Sequence, residues 1–154
     1  MDRKRIQEAF SGVARLIAPA TGIELTADER RLNRLGELLE QTALPNKRKT
    51  AILGAYLLLD EGLASHQELQ LATGEQRTRL LLSGDYLFGV YLRWLIQHKE
   101  RELLVFLSPV HKKIQIGLAA GNPLELAEAE LLAGFSRYLT RFQKQTARWT
   151  RRTP

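Results

Sequence analysis

The sequence predicts an all-α protein. Three observations carry that expectation: apolar residues recur at helical spacing in nearly every segment, no stretch alternates apolar and polar residues between hairpin turns, and helix-start signals recur along the chain. Ile6, Phe10, Val13 and Ile17 stand at i, i+4, i+7 and i+11, and the first helix ends at Pro19. Thr26-Ala27-Asp28-Glu29 has the form of a capping box, in which the Thr hydroxyl and the Glu carboxylate satisfy each other's free backbone N–H groups. It opens a helix with Leu32, Leu35 and Leu39 inward. Pro45-Asn46 ends that helix and starts another, apolar almost all round as far as Leu59 and therefore central and buried. Gly62 to Ser65 reads as a turn.

A second capping box, Thr73 with Gln76, opens a long helix reaching about His98, with a bend near Ser83-Gly84. Leu103, Leu107, Val110, Ile114 and Leu118 form the next stripe, interrupted by Pro109, which removes a backbone donor and should kink the helix, and stopped by Gly121. Asn122-Pro123-Leu124-Glu125 starts the last helix with Pro123 in first position, and Leu124, Leu131, Phe135, Tyr138 and Phe142 are its buried face. The expectation is six or so helices in one domain, residues 1–154, with no linker and a basic segment from about 137.

Composition narrows the function. The chain has 154 residues, 44% of them apolar and 26% charged, which is the balance of one globular domain and not of a disordered or low-complexity chain. Without cysteine there is no disulfide, thiolate metal site or Cys nucleophile, which suits a reducing cytosol. The start, MDRKRIQEAF, leads into no apolar signal core, and the longest apolar run, Ala51 to Leu59, is too short to span a membrane. A soluble protein is expected. The formal charge of +6 is unevenly spread: Arg137, Arg141, Lys144, Arg148, Arg151 and Arg152 follow one another without an acid, while residues 1–136 balance. Arg137, Arg141, Lys144 and Arg148 form one helical stripe, and all six are candidates for contact with an anionic lipid surface or an acidic partner. Nucleic acid is not the expected partner of a neutral body with a basic tail.

Catalytic constellations are thin. His66, His98 and His111 have no metal-ligand spacing, and no two of the four aspartates are close in sequence. Asp60-Glu61, an adjacent acidic pair before Gly62, reads as a solvated helix end. One stretch is unusual: Leu80 to Leu92 sets Asp85 in an apolar run and places Gly84 and Gly89 inside a helix, where each glycine costs about 1 kcal/mol relative to alanine. Close approach of two backbones, or a bend, would justify the glycines, and Asp85 would then need a partner or a water-filled neighbour. The other reading makes Ser83-Gly84-Asp85 a break and re-cap between two helices.

Leu63-Ala-Ser-His-Gln-Glu-Leu69, followed by Leu81-Leu-Ser-Gly-Asp-Tyr-Leu-Phe-Gly-Val-Tyr-Leu92, resembles the small subunit of heterodimeric heptaprenyl diphosphate synthase, a family with a leucine–x–x–histidine turn and then a "GDY" helix. The similarity runs loosely from about Asn46 to Gly121. It implies a helical chain related to the trans-prenyltransferase fold but without catalysis. The catalytic relatives carry "DDxxD" after a comparable histidine, because several carboxylates must hold the Mg²⁺ ions that neutralise the departing diphosphate. After His66 this chain offers Gln67-Glu68-Leu69-Gln70-Leu71, with one carboxylate. The resemblance therefore implies no catalytic residue, metal or cofactor in this chain, with Mg²⁺ only in the catalytic partner. The partner implied is the large subunit of a polyprenyl diphosphate synthase in menaquinone side-chain biosynthesis, with a homodimer as the chain's state when alone and a cytoplasmic location peripheral to the membrane. Gly84, Asp85, Tyr86, Phe88, Gly89, Tyr91 and Trp94 are the candidates for the partner interface or for lining the product tunnel. A different class, a small DNA-binding regulator, would read Leu57 to Leu69 as helix, turn and helix.

Overall fold

The computed structural model describes residues 3–26 and 28–144. Six α-helices, α1 (Arg3–Leu16), α2 (Glu29–Glu40), α3 (Asn46–Leu71), α4 (Gly74–Gln97), α5 (Arg101–Ala119) and α6 (Leu124–Leu139), follow one another with short connections, and the all-α expectation holds. Single 3-10 turns occupy Pro19–Thr21 and Thr140–Phe142. No helix among the described residues is long and apolar enough to cross a membrane.

The centre is α3. Every residue from Ala51 to Asp60 is buried, so this segment is enclosed on all sides, as its unbroken apolar run requires. α1, α2, α4 and α6 pack around it, and α5 lies across α4 and α6. Trp94 of α4 fixes the junction with α1 and α3: its indole N–H donates to the carbonyl of Ala51 at 2.7 Å, and its ring lies against Gly54 and Gly12. A side chain at Gly54 would place its Cβ 2.3 Å from the ring. Close approach is carried by Gly12 and Gly54, by Gly134 against Val110 and by Gly117 against Asn122, whereas a methyl added at Gly84 or Gly89 would meet nothing within 4 Å.

Several local expectations are corrected. Residues 62–65 form no turn; α3 continues to Leu71 because Glu61 and Leu63 on either side of Gly62 are buried and hold it. α4 likewise runs through Ser83-Gly84-Asp85 without a break, which removes the re-cap reading. Asp28, not Thr26, caps α2, accepting from the N–H groups of Arg30 and Arg31 at 2.9 and 3.2 Å. Thr73 precedes α4 but makes no side-chain cap, and Pro123 precedes the first residue of α6. α5 runs through Pro109, and both Pro109 and Val105, the residue whose carbonyl loses its helical donor, are exposed.

The C-terminal helix stops at Leu139, so the helical stripe of cations does not form. The backbone turns aside because the loop after α2 pairs with it: Ala43 donates to Phe142 at 2.7 Å and Lys144 to Gln41 at 2.9 Å, around a bridge between Thr42 and Gln143. Arg141 lies over the Phe106 ring at 4.8 Å and reaches Glu102 at 3.5 Å, while Arg137 and Lys144 are exposed. Arg148, Arg151 and Arg152 lie outside the described residues.

Candidate functional site, an apolar cleft beside α4

Beyond Leu63 the α3–α4 hairpin outgrows the bundle. Between Leu63 and Leu87 only Ala72 is buried, although the stretch carries five leucines: Leu69, Leu71, Leu80, Leu81 and Leu82. Leu71, Leu81 and Leu82 are 88%, 50% and 63% exposed. Where the overhang meets α5, a cleft of about 320 Å³ opens between the three helices. Leu58, Leu63 and Leu87 form its base, Leu81 and Phe88 one side, and His66, Asp85 and Gln115 supply polar groups to the lining. Phe88 stacks on His111 of α5, with ring centroids 5.0 Å apart and planes 9° apart. Burial pushes the His111 imidazole below its ordinary value, so at neutral pH the stacked ring is uncharged. The cleft is therefore suited to an apolar group, with one carboxylate, Asp85, on its exposed side.

The sequence-derived candidates divide. Gly84, Asp85 and Phe88 line the cleft, and Gly89 is exposed on α4. Tyr86 faces inward, accepting from the N–H of Ala18 at 2.9 Å and thereby fastening the end of α1. Tyr91 and Trp94 are buried in this chain's own core, because they share the inner face of α4 with Leu87, Val90 and Leu95, and they offer nothing to a partner. The outer face of α4 instead carries Leu81, Leu82, Phe88, Gly89 and Ile96, with Ile96 71% exposed. Sequence reasoning misses His111 and Gln115, since their place in the cleft depends on how α5 docks and no local pattern encodes it.

The acidic pair Asp60-Glu61 is not a solvated helix end but is buried within α3. Arg31 forks onto both Asp60 oxygens at 2.9 and 3.1 Å and reaches Glu128 at 3.1 Å, joining α2, α3 and α6. Glu61 accepts from the N–H and hydroxyl of Thr26, both at 3.0 Å, and pairs with no cation among the described residues. Burial pushes its carboxyl up, against the two Thr26 hydrogen bonds. A raised carboxyl contributes stability that is full below the unfolded pKa and is lost as pH rises through the folded one. Glu61→Gln, which keeps an acceptor for Thr26, is therefore expected to raise the melting temperature at pH 7.5 by about 2–4 °C, the change that about 1 kcal/mol gives a domain of this size. The gain should vanish in acid, and calorimetry across pH checks both.

No three or more His, Asp or Glu among the described residues stand together as a metal site. Fold and cleft together define a helical bundle with an open apolar cleft beneath an overhanging hairpin. Comparisons with protein-family models, curated proteins and solved structures find no match.

Proposed function

We propose that the chain is a non-catalytic partner subunit of a heterodimeric, heptaprenyl-type polyprenyl diphosphate synthase serving menaquinone side-chain biosynthesis. The observation that carries this reading is the overhang: leucines exposed on a hairpin that outgrows the bundle are the surface a partner helix would cover. The two stretches that resemble the small-subunit family, 63–69 and 81–92, stand on the two arms of the α3–α4 hairpin and both contribute to the same cleft. The catalytic subunit holds the Mg²⁺ and performs the condensation; this chain supports its activity and helps to set product length by packing against it, with Phe88 and the space beside Gly84 toward the growing chain. The helix-turn-helix reading loses its basis, because residues 57–69 lie within one uninterrupted helix.

Co-expression with the catalytic subunit of a long-chain prenyl diphosphate synthase should yield a complex that co-purifies. Leu82→Glu, at a 63% exposed position, should abolish co-purification while leaving the melting temperature unchanged. Ile116→Glu, equally exposed but on α5, should leave the complex intact. Prenyl diphosphate formation by the pure chain alone, or no complex with the wild-type chain, would overturn the proposal.

A further inference from the structure

Charge in this bundle is sorted by end. Internal contacts fix which helix ends meet: Arg5 binds Glu40 and Asn46, Arg48 forks onto Glu100 and reaches Tyr138, and Lys144 donates its N–H to Gln41. The starts of α1, α3 and α5 and the ends of α2, α4 and α6 therefore form one face. Its segments, 3–5, 40–49, 98–102 and 137–144, hold eleven Lys and Arg against three Glu. Each of those glutamates is taken by an arginine within the fold: Glu40 by Arg5, Glu100 by Arg48 and Glu102 by Arg141. Arg3, Lys47, Lys99, Arg101, Arg137 and Lys144 are exposed around them. The rest of residues 1–144 holds nine Lys and Arg against fourteen Asp and Glu, so the neutral body read from the sequence is an average over a basic end and an acidic remainder.

Helix electrostatics alone do not account for this end. α1 and α3 both open on cations with no acid in the first turn, the reverse of what the helix dipole favours, and Pro45 gives α3 no side-chain cap. The fold bears these like charges together at a cost in stability, which fits a surface selected to meet anions.

We propose that this end of the bundle docks on an anionic phospholipid bilayer. The face is built of helix ends, so no helix side or strand pair is offered to a nucleic-acid groove. Exposed aliphatic side chains flank it, Ile96 in the last turn of α4 and Val105 near the start of α5, 71% and 64% exposed. Cations beside shallow apolar side chains match the headgroup layer, where lysine and arginine meet lipid phosphates and aliphatic groups enter just beneath. The sequence also continues from Lys144, on this face, into Arg148, Arg151 and Arg152.

The test is sedimentation of the full chain, without any partner, with phosphatidylcholine–phosphatidylglycerol vesicles and with pure phosphatidylcholine vesicles. Binding should require phosphatidylglycerol and disappear in high salt. Lys47→Glu combined with Arg101→Glu should weaken it at least about twentyfold, since each basic residue near the surface contributes about fivefold. The same two substitutions place acids in the first turns of α3 and α5, so the melting temperature should rise as vesicle binding falls. A structural role for these cations would move both downward. Replacing Arg148, Arg151 and Arg152 by serine should leave phosphatidylglycerol-dependent binding measurable. Loss of binding only in that tail variant, equal binding to phosphatidylcholine vesicles, or preference for RNA or duplex DNA over vesicles at matched salt would overturn the proposal.

Discussion

Replacing Arg31 with methionine is expected to lower the melting temperature by about 10 °C at neutral pH, because removing one partner of a buried ion pair costs about 3–5 kcal/mol. Most of that loss is the carboxylate left behind. Asp60 is 5% exposed, and among the described residues its carboxylate's only hydrogen bonds come from the Arg31 fork, which also neutralises Glu128 and reaches Asp28. Burial already pushes the Asp60 carboxyl up against the opposing guanidinium, and without the guanidinium nothing holds it down. The variant should therefore gain stability relative to wild type as pH falls, the sign required when a folded-state carboxyl is raised. Adding Asp60→Asn to Arg31→Met should recover part of the loss at neutral pH. Thermal melts of the three proteins at neutral and acid pH measure all of this. A loss independent of pH, with no rescue by asparagine, would place the cost in packing of the arginine stem.

Gly54→Ala should destabilise the protein by about 2 kcal/mol, a fall of about 6 °C in melting temperature, even though alanine is the better helix former by about 1 kcal/mol. The reason is steric. The new methyl would stand 2.3 Å from Trp94 Cζ2 and 2.4 Å from Cε2, so the ring has to shift. Its N–H is bonded to Ala51 and its ring lies 3.9 Å, centroid to centroid, from that of His98, so any shift disturbs both contacts. Gly89→Ala is the matched control, in a helix interior with nothing within 4 Å, and should stabilise by about 1 kcal/mol. Opposite signs for one chemical change are the expected result. Equal signs would mean that Trp94 does not rest on α3 as described.

These two sites also mark the limit of what is legible in the sequence. Helix order and the enclosed centre are legible, because the stripes through Val13, Leu35, Leu107 and Phe135 and the all-round run 51–59 are local patterns that packing alone satisfies. The acids at Asp60-Glu61 look solvated in sequence because their partners, Arg31 and Thr26, stand 29 and 35 residues earlier. Glycines carry no side chain to reveal their neighbours, so Gly84 and Gly89 stand out for their setting while Gly12 and Gly54 carry the contact. Of the candidate site, the α4 side is legible through Gly84, Asp85 and Phe88. Tyr91 and Trp94 pass for outward residues because aromatic character says nothing of which helix face a residue occupies. The cation stripe fails for a related reason: pairing of 142–144 with the loop after α2 overrides helical continuation.

The overhang gives the cleft two walls of unequal cooperativity. Leu58, Leu63 and Leu87 belong to the buried core and open only with the whole molecule, whereas Leu69, Leu80 and Leu81 stand on the hairpin beyond it, where each helix has little but the other to lean on. Whatever fills the cleft must therefore still the hairpin as it binds, and part of its affinity is spent as lost conformational entropy. A second contact along α4 would find that ordering already done. Cleft and outer face are thereby coupled through the rigidity of a single pair of helices, with no change of shape required.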